Sequence, residues 1–274
     1  MDKCLEIEKS IITTFRKQIW AKFVKAIVEY DMIQENDKIA VCISGGKDSS
    51  LLAKCFQELK KHGKNNFELE FLVMDPGYNE FNKQKIVDNC STLNIPVHFF
   101  ETDIFNRVAK ITDSPCYLCA RMRRGYLYEN AKKMGCNKIA LGHHFDDVIE
   151  TIVMGMLFGG QYQTMMPKLK STSHPGMELI RPLYLIRESD VINWEKSNDL
   201  EFIKCACSFT EDCAIDENDS EKSKRKQVKN LLNELRKKDP IIDKNIFKSS
   251  ENVNINTVLG YKIDGKKINF LDNY

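Results

Sequence analysis

Lys38-Ile39-Ala40-Val41-Cys42-Ile43, followed directly by Ser44-Gly45-Gly46-Lys47-Asp48-Ser49, is the stretch from which the fold is read. The first six residues form a nearly continuous apolar run bounded by Asp37 and by the glycines, as in a strand buried on both faces of a parallel sheet. In the next six, two glycines let the backbone approach a ligand closely. The helix expected from about residue 48 presents unpaired N–H groups and the positive end of its dipole. An anion placed there meets backbone donors, the Ser49 hydroxyl and Lys47. A glycine turn capped by Asp48 or Ser49 is the plainer reading, but the position directly after a buried strand favours phosphate. The spacing from the glycines to Lys47 and Ser49 is not that of a Walker loop.

Working outward, similar apolar runs recur at Glu70-Phe71-Leu72-Val73-Met74, Val97-His98-Phe99-Phe100 and Lys138-Ile139-Ala140-Leu141. Helical stretches are expected between and after them at about 48–62, 79–91, 116–134 and 144–157. Alternating strands and helices predict an α/β protein with a doubly wound parallel sheet. Upstream, Ile11, Ile12, Phe15, Ile19, Phe23 and Ile27 recur at helical spacing and predict one long amphipathic helix over 6–30. Past Phe158 the pattern weakens: Gly159-Gly160 and Ser171–Gly176 read as loops, Arg187–Lys196 and the basic Ser220–Lys238 as helices, and Pro240 as a stop. The expected organisation is an N-terminal helical segment (1–36), a nucleotide-binding domain (37–200) and a small, mostly helical C-terminal extension (201–274).

With 42% hydrophobic and 29% charged residues, the 274-residue chain is not a mostly disordered one. Its 41 Lys and Arg against 39 Asp and Glu leave a net charge of +2, so contact with nucleic acid has to come from local patches. Arg121, Arg123 and Arg124, and the run Lys222–Gln227, are candidates. No apolar run approaches the ~20 residues that span a bilayer. Met1–Glu6 is charged and lacks a signal-peptide apolar core, so a cytoplasmic protein without membrane contact is expected.

In a reducing compartment, ten cysteines argue for metal or redox chemistry over disulfides. Cys42, Cys55 and Cys90 read as small core hydrophobes and Cys136 as part of a turn before a strand. Cys116 and Cys119 lie three apart at the start of a helix opened by Pro115, so both thiolates can reach one metal and the helix dipole favours their ionised form. A third ligand has to come from elsewhere, and Cys205 and Cys207 are candidates. Three thiolates suit a [4Fe–4S] cluster with one iron left open, while zinc closed by a fourth ligand, Cys205 or Cys213, is the alternative.

The segment Gly142-His143-His144-Phe145-Asp146-Asp147 begins at another strand end and enters a helix. Its carboxylates, with Glu150, either cap that helix or, opposite a triphosphate, support Mg²⁺ through Asp147 or Asp146. His143 and His144 are candidates to face substrate or phosphate, and Asp75 and Tyr78 to line a base pocket.

The hexapeptide Ser44–Ser49 resembles the pyrophosphate loop of the ATP pyrophosphatases, which adenylate their substrates. From about Ile39 to Trp194 the chain resembles, more specifically, the bacterial tRNA 2-thiocytidine synthetase family. The matching blocks are the loop itself, Cys116–Gly125, Lys138–His144, Asp146-Asp147, Phe158–Gly160, Met166–Leu169 and Ile180–Leu183. The resemblance implies an adenine-nucleotide α-hydrolase-like fold. It places ATP on Ser44, Gly45, Gly46, Lys47, Asp48, Ser49, Gly142, His143 and Asp147, with Mg²⁺ near Asp48 or Asp147. It also implies a [4Fe–4S] cluster held by Cys116, Cys119 and Cys207, with Cys205 the runner-up, and catalysis carried by Asp48 and those three cysteines. The substrate it implies is a cytidine in a tRNA anticodon loop. Adenylation of C2–O would precede replacement of the oxygen by sulfur that the cluster carries, the sulfur coming from a cysteine desulfurase or from free sulfide. Dimers are common in the family. This chain departs from the family at Cys205-Ala206-Cys207, where a CxxC-like pair is expected, and in the acidic stretch 211–221 that follows. Another adenylating enzyme with a structural metal is the alternative, and a zinc-stabilised nucleotide-binding module the rival from outside the enzymes.

Overall fold

The computed structural model describes residues 3–63, 66–108, 115–203 and 224–273. Helix α1 (Lys3–Ile12) and helix α2 (Ala21–Glu29) precede strand β1 (Lys38–Ile43) and helix α3 (Lys47–His62). Then come β2 (Glu68–Asp75), α4 (Glu80–Thr92), β3 (Val97–Glu101), α5 (Ile104–Val108), α6 (Pro115–Lys133), β4 (Lys138–Ala140) and α7 (Phe145–Gly159). After α7 follow β5 (Lys168–Lys170), β6 (Glu178–Ile180), α8 (Glu188–Ser197), α9 (Lys224–Lys238), α10 (Ile242–Ser249) and the pair β7 (Gly260–Ile263) and β8 (Lys266–Asn269). Among the described residues, no helix is long and apolar enough to cross a membrane.

The described strands of the main sheet run in the order β3-β2-β1-β4-β6-β5. All neighbours are parallel except the edge pair β5–β6. The expected doubly wound sheet is present, and all but the first residue of β1 are buried. From β1 the chain moves outward to β2 and β3 on one side, then returns to place β4 on the other. That reversal opens a crevice at the carboxyl ends of β1 and β4, where α/β sheets bind ligands.

The N-terminal helix is interrupted. A π-helical turn, Arg16–Trp20, separates α1 from α2. The apolar stripe explains it: Ile11, Phe15, Ile19, Phe23 and Ile27 repeat every four residues, and all five are buried. On a regular α-helix each such step overshoots a full turn by about 40°, so the stripe would wind away from the core within four steps. The wider turn brings it back.

One buried charge fastens α1 to the domain. Lys54 on α3 is 0% exposed. Its Nζ donates to Glu8 Oε1 at 2.6 Å, to Gln57 Oε1 at 2.7 Å and to the Leu93 carbonyl at 2.8 Å.

Two compact units emerge: 1–148 with 166–223, and 149–165 with 224–274. In the second, Val228, Leu232 and Phe247 are buried. Arg236 Nε holds both Asp243 carboxylate oxygens, at 3.0 and 2.8 Å. Besides the expected basic helix, this unit contains the hairpin β7–β8. Its two-residue turn is Asp264-Gly265, both with positive φ (49° and 78°), as a type I′ turn requires.

Candidate active site

The Ser44–Ser49 loop takes its shape from its own side chains. The Ser49 hydroxyl donates to the Gly46 carbonyl at 3.0 Å and accepts the Ser44 N–H at 3.1 Å, closing the loop on itself. The hydroxyl read from the sequence as a phosphate contact thus also shapes the turn. Gly45 has φ +81°, and a Cβ there would stand 2.6 Å from Ile86 Cγ1 and 2.7 Å from Ile203 Cδ1, so glycine is required twice over. Gly46 is the N-cap of α3 and no side chain caps the helix. Its first amides are therefore left without a side-chain cap, the arrangement in which a helix N-terminus can receive an anion.

Lys47 Nζ lies 3.1 Å from Asp48 Oδ2 and 3.6 Å from Glu188 Oε1. Burial works against the Lys47 charge, but these two carboxylates outweigh it and hold its pKa above the ordinary lysine value. The other Asp48 oxygen, Oδ1, is buried and has no hydrogen-bond partner among the described residues. His144 Nε2 lies 3.9 Å from it. An ionised oxygen left unsatisfied under cover is costly, and a cation is the natural way to satisfy it.

The loop after β4 presses against this one. A Cβ on Gly142 would meet the Asp48 carbonyl carbon and the Ser49 nitrogen, each at 3.0 Å. His144 and Asp147 then build a reciprocal cap on α7. The His144 N–H donates to Asp147 Oδ2 at 2.9 Å and the Asp147 N–H to His144 Nδ1 at 3.3 Å. Nδ1 also lies 3.3 Å from Asp147 Oδ2, and Nε2 on the far side of the ring is turned to Asp48. His144, buried at 5% exposure, thus links the two carboxylates, and His143 beside it is partly exposed.

Asp146 is engaged elsewhere. It accepts the Glu188 N–H at 2.8 Å and lies 3.6 Å from Arg187, fixing the start of α8. Asp147 is engaged too, through Oδ2 in the cap with His144. Asp75 Oδ1 accepts the N–H groups of Gly77 and Tyr78 at 2.8 and 2.7 Å, so it forms the turn after β2. Tyr78 packs its ring edge-on against Phe105.

The backbone of α6 carries Cys116 and Cys119 one turn apart in its first turns. Cys119 is partly buried against Met74, at the carboxyl end of β2, and Ile104. Cys205, Cys207 and Cys213 lie outside the described residues, and among the described ones no group of three metal-ligating side chains forms. Ile203, which precedes them, packs on Gly45. Cys42, Cys55, Cys90 and Cys136 are buried, as read from the sequence. Burial raises the first two thiol pKa values far above the ordinary range and the last two to about 11.

A PP-loop domain family matches residues 14–213. The tRNA-cytidine(32) 2-sulfurtransferase of Polaromonas naphthalenivorans is 34% identical over 257 residues, 93% of this chain and 77% of the relative. The chain belongs to the tRNA-cytidine(32) 2-sulfurtransferase family. A second member, from Geotalea uraniireducens, is 33% identical over 251 residues, 90% of this chain and 94% of its own. Among solved structures, the U34-tRNA thiolase NcsA of Methanococcus maripaludis, determined with its [4Fe-4S] cluster, shares the fold at a TM-score of 0.65. Its sequence identity is 24%, over 84% of this chain and 77% of that chain. The family resemblance read from the sequence is confirmed. In this family member, sequence reasoning offered His144 as a residue facing substrate or phosphate, with a buried structural histidine as the alternative, but not as the cap partner of Asp147, and it missed Glu188 altogether. His144 stands three residues before Asp147, the spacing of a capping box, and that signal was available. Glu188 joins the Lys47–Asp48 pair only through folding.

Proposed function

We propose that this protein is an ATP-dependent tRNA sulfurtransferase that converts a cytidine, in the anticodon loop, to its 2-thio form. What carries the reading is that a chain one-third identical to such enzymes along 93% of its length brings its PP-loop and its Gly142–Asp147 loop into contact at the switch point.

In this reading the open amides of α3 and Lys47 bind the phosphates of ATP. Asp48, through the oxygen that lacks a partner, and Asp147 hold the Mg²⁺ that neutralises them. The C2 oxygen of the cytidine attacks the α-phosphorus and pyrophosphate leaves. Oxygen, a poor leaving group, becomes part of an AMP ester. A sulfur nucleophile then adds at C2, and AMP departs with the original oxygen. The target base has to leave its stack, which a loop nucleotide does at low cost.

Cys116 and Cys119, one turn apart on α6, with Cys207 as the third ligand or Cys205 in its place, are the residues that would hold a [4Fe–4S] cluster. When bound, that cluster supplies the open iron that carries sulfur. Cys119 packs beside the carboxyl end of β2, and Ile203, two residues before Cys205 in sequence, packs on Gly45 of the ATP loop. Sulfur reaches the site from a cysteine desulfurase or as free sulfide. Arg121, Arg123 and Arg124, which follow Cys119 on α6, are the residues that would meet RNA phosphates, and affinity for tRNA should then fall steeply with salt.

Iron and acid-labile sulfide after anaerobic reconstitution test the cluster. About four of each per chain is expected. Loss in Cys116→Ala, Cys119→Ala and Cys207→Ala, with ATP still bound, supports this ligand set. Zinc in place of iron, or iron indifferent to these substitutions, overturns it.

A further inference from the structure

Arg181 directly follows β6 at the edge of the sheet where the PP-loop lies, and its guanidinium is buried. The residue is 5% exposed. Its Nη1 donates to the Met166 carbonyl, and its Nε is buried with no hydrogen-bond partner among the described residues. No carboxylate among those residues forms an ion pair with it. Burial first, and then the positive charge of Arg124, push its pKa down to about 10. Tyr128 of α6 packs in one buried cluster with Leu179 of β6, so Arg124, one turn before Tyr128, and Arg181, two residues past Leu179, lie on the same face of the sheet toward its carboxyl ends.

A guanidinium taken out of water and left partly unsatisfied costs stability, and a second one nearby adds to the cost. A fold that keeps such a pair beside its catalytic crevice keeps it for an anion. We propose that Arg181 and Arg124 form a clamp for one phosphate group, with the buried Arg181 offering its open Nε–H from below and the exposed Arg124 closing from solvent. The proposal rests on the sulfurtransferase reading, under which two phosphates reach this place: one from ATP, the other from the RNA backbone.

The test measures dissociation constants of the full chain for a non-hydrolysable ATP analogue and, separately, for an anticodon stem-loop RNA. Wild type, Arg181→Met and Arg124→Ala are compared. At least one ligand is expected to weaken about tenfold or more in both variants, the worth of a charge-assisted hydrogen bond. Loss confined to the analogue assigns the clamp to the nucleotide. Loss confined to the RNA, with a shallower salt dependence, assigns it to the backbone. Arg181→Met is expected to melt no lower than wild type, because it removes a buried, partly unsatisfied charge, whereas a purely structural arginine would lower the melting point. If that variant does not fold, Arg181→Lys and Arg124→Ala carry the test. Both ligands bound as tightly as by wild type overturns the clamp. A wild type that binds no RNA at all fails the sulfurtransferase reading instead.

Discussion

Gly142 and Ser49 touch so closely that a Cβ on the glycine would stand 3.0 Å from the serine nitrogen. Two loops from opposite sides of the switch point meet there, backbone to backbone, and glycine alone permits it. Gly142→Ala must part them by a few tenths of an ångström. The expected result is a folded protein, less stable by about 1–3 kcal/mol, the usual cost of overpacking. Its affinity for an ATP analogue should drop about tenfold, because the α3 amides and Asp147 no longer face one ligand together. Calorimetry on both proteins checks this; unchanged affinity would mean that the contact does not set the site.

Three neighbouring carboxylates should behave differently. Asp146 is spent on Glu188 N–H and Arg187, so Asp146→Ala should cost about 1–3 kcal/mol of stability for the buried donor left unmade. Asp48 keeps a buried oxygen without a partner, so Asp48→Asn should leave the melting temperature near that of wild type and abolish magnesium-dependent release of pyrophosphate. Asp147 serves both as cap and as metal support, and Asp147→Asn should lower stability and turnover together. Thermal melts and a pyrophosphate assay on the three variants separate these roles.

The thiols divide in the same way. Burial keeps Cys42, Cys55, Cys90 and Cys136 protonated at neutral pH, and the thiolate is the reacting form. Iodoacetamide applied to the native, cluster-free chain at pH 8 should leave these four unmodified by mass spectrometry and modify Cys119, which is partly exposed. Labelling of Cys55 without unfolding would contradict the packing described.

Glu8 gives the fold an acid limit. Burial pushes its carboxyl upward, but hydrogen bonds from Lys54 and Lys61 win and hold its pKa below 4.5. A carboxylate depressed in the folded state stabilises above the unfolded value, and that stability is lost as pH falls through the folded one. Chemical denaturation should therefore show stability falling below about pH 4.5. Glu8→Gln should flatten that slope, and Lys54→Met should cost about 1–3 kcal/mol at pH 7 by leaving the Leu93 carbonyl without its lysine donor, since Lys61 still holds the other Glu8 oxygen at 2.6 Å.

The sheet and its ligand edge were legible because β1 to β4 are apolar runs alternating with helices, of which those after β1, β2 and β4 are of ordinary length and only the five-residue α5 directly after β3 is short. The six-residue loop identified itself by composition and position. Less legible was whatever depends on contacts distant in sequence. Strands β5 and β6 are three residues each, too short to show a period. The break between α1 and α2 was written in the four-residue spacing from Ile11 to Ile27 but reads as one helix unless the drift is computed. The Asp264-Gly265 hairpin was signalled by its dipeptide, and Val258 to Ile268 supplied the flanking apolar residues. The roles of Asp146, Asp147 and Asp48 could not be separated by sequence, since one partner, Glu188, lies 140 residues from Asp48 along the chain. Lys54, a charge inside a helix facing the core, breaks the amphipathic pattern and is understood only when Glu8 and Leu93 are seen around it.

The most direct test of the central claim is nucleoside mass spectrometry of tRNA lacking 2-thiocytidine, after incubation with the anaerobically reconstituted protein, ATP, Mg²⁺ and sulfide. The account predicts 2-thiocytidine formed only when ATP is present, with AMP and pyrophosphate released in equal amounts, and none with Asp48→Asn or Cys119→Ala. Sulfur appearing on uridine instead, or ATP cleaved with no thiolated cytidine, would contradict it.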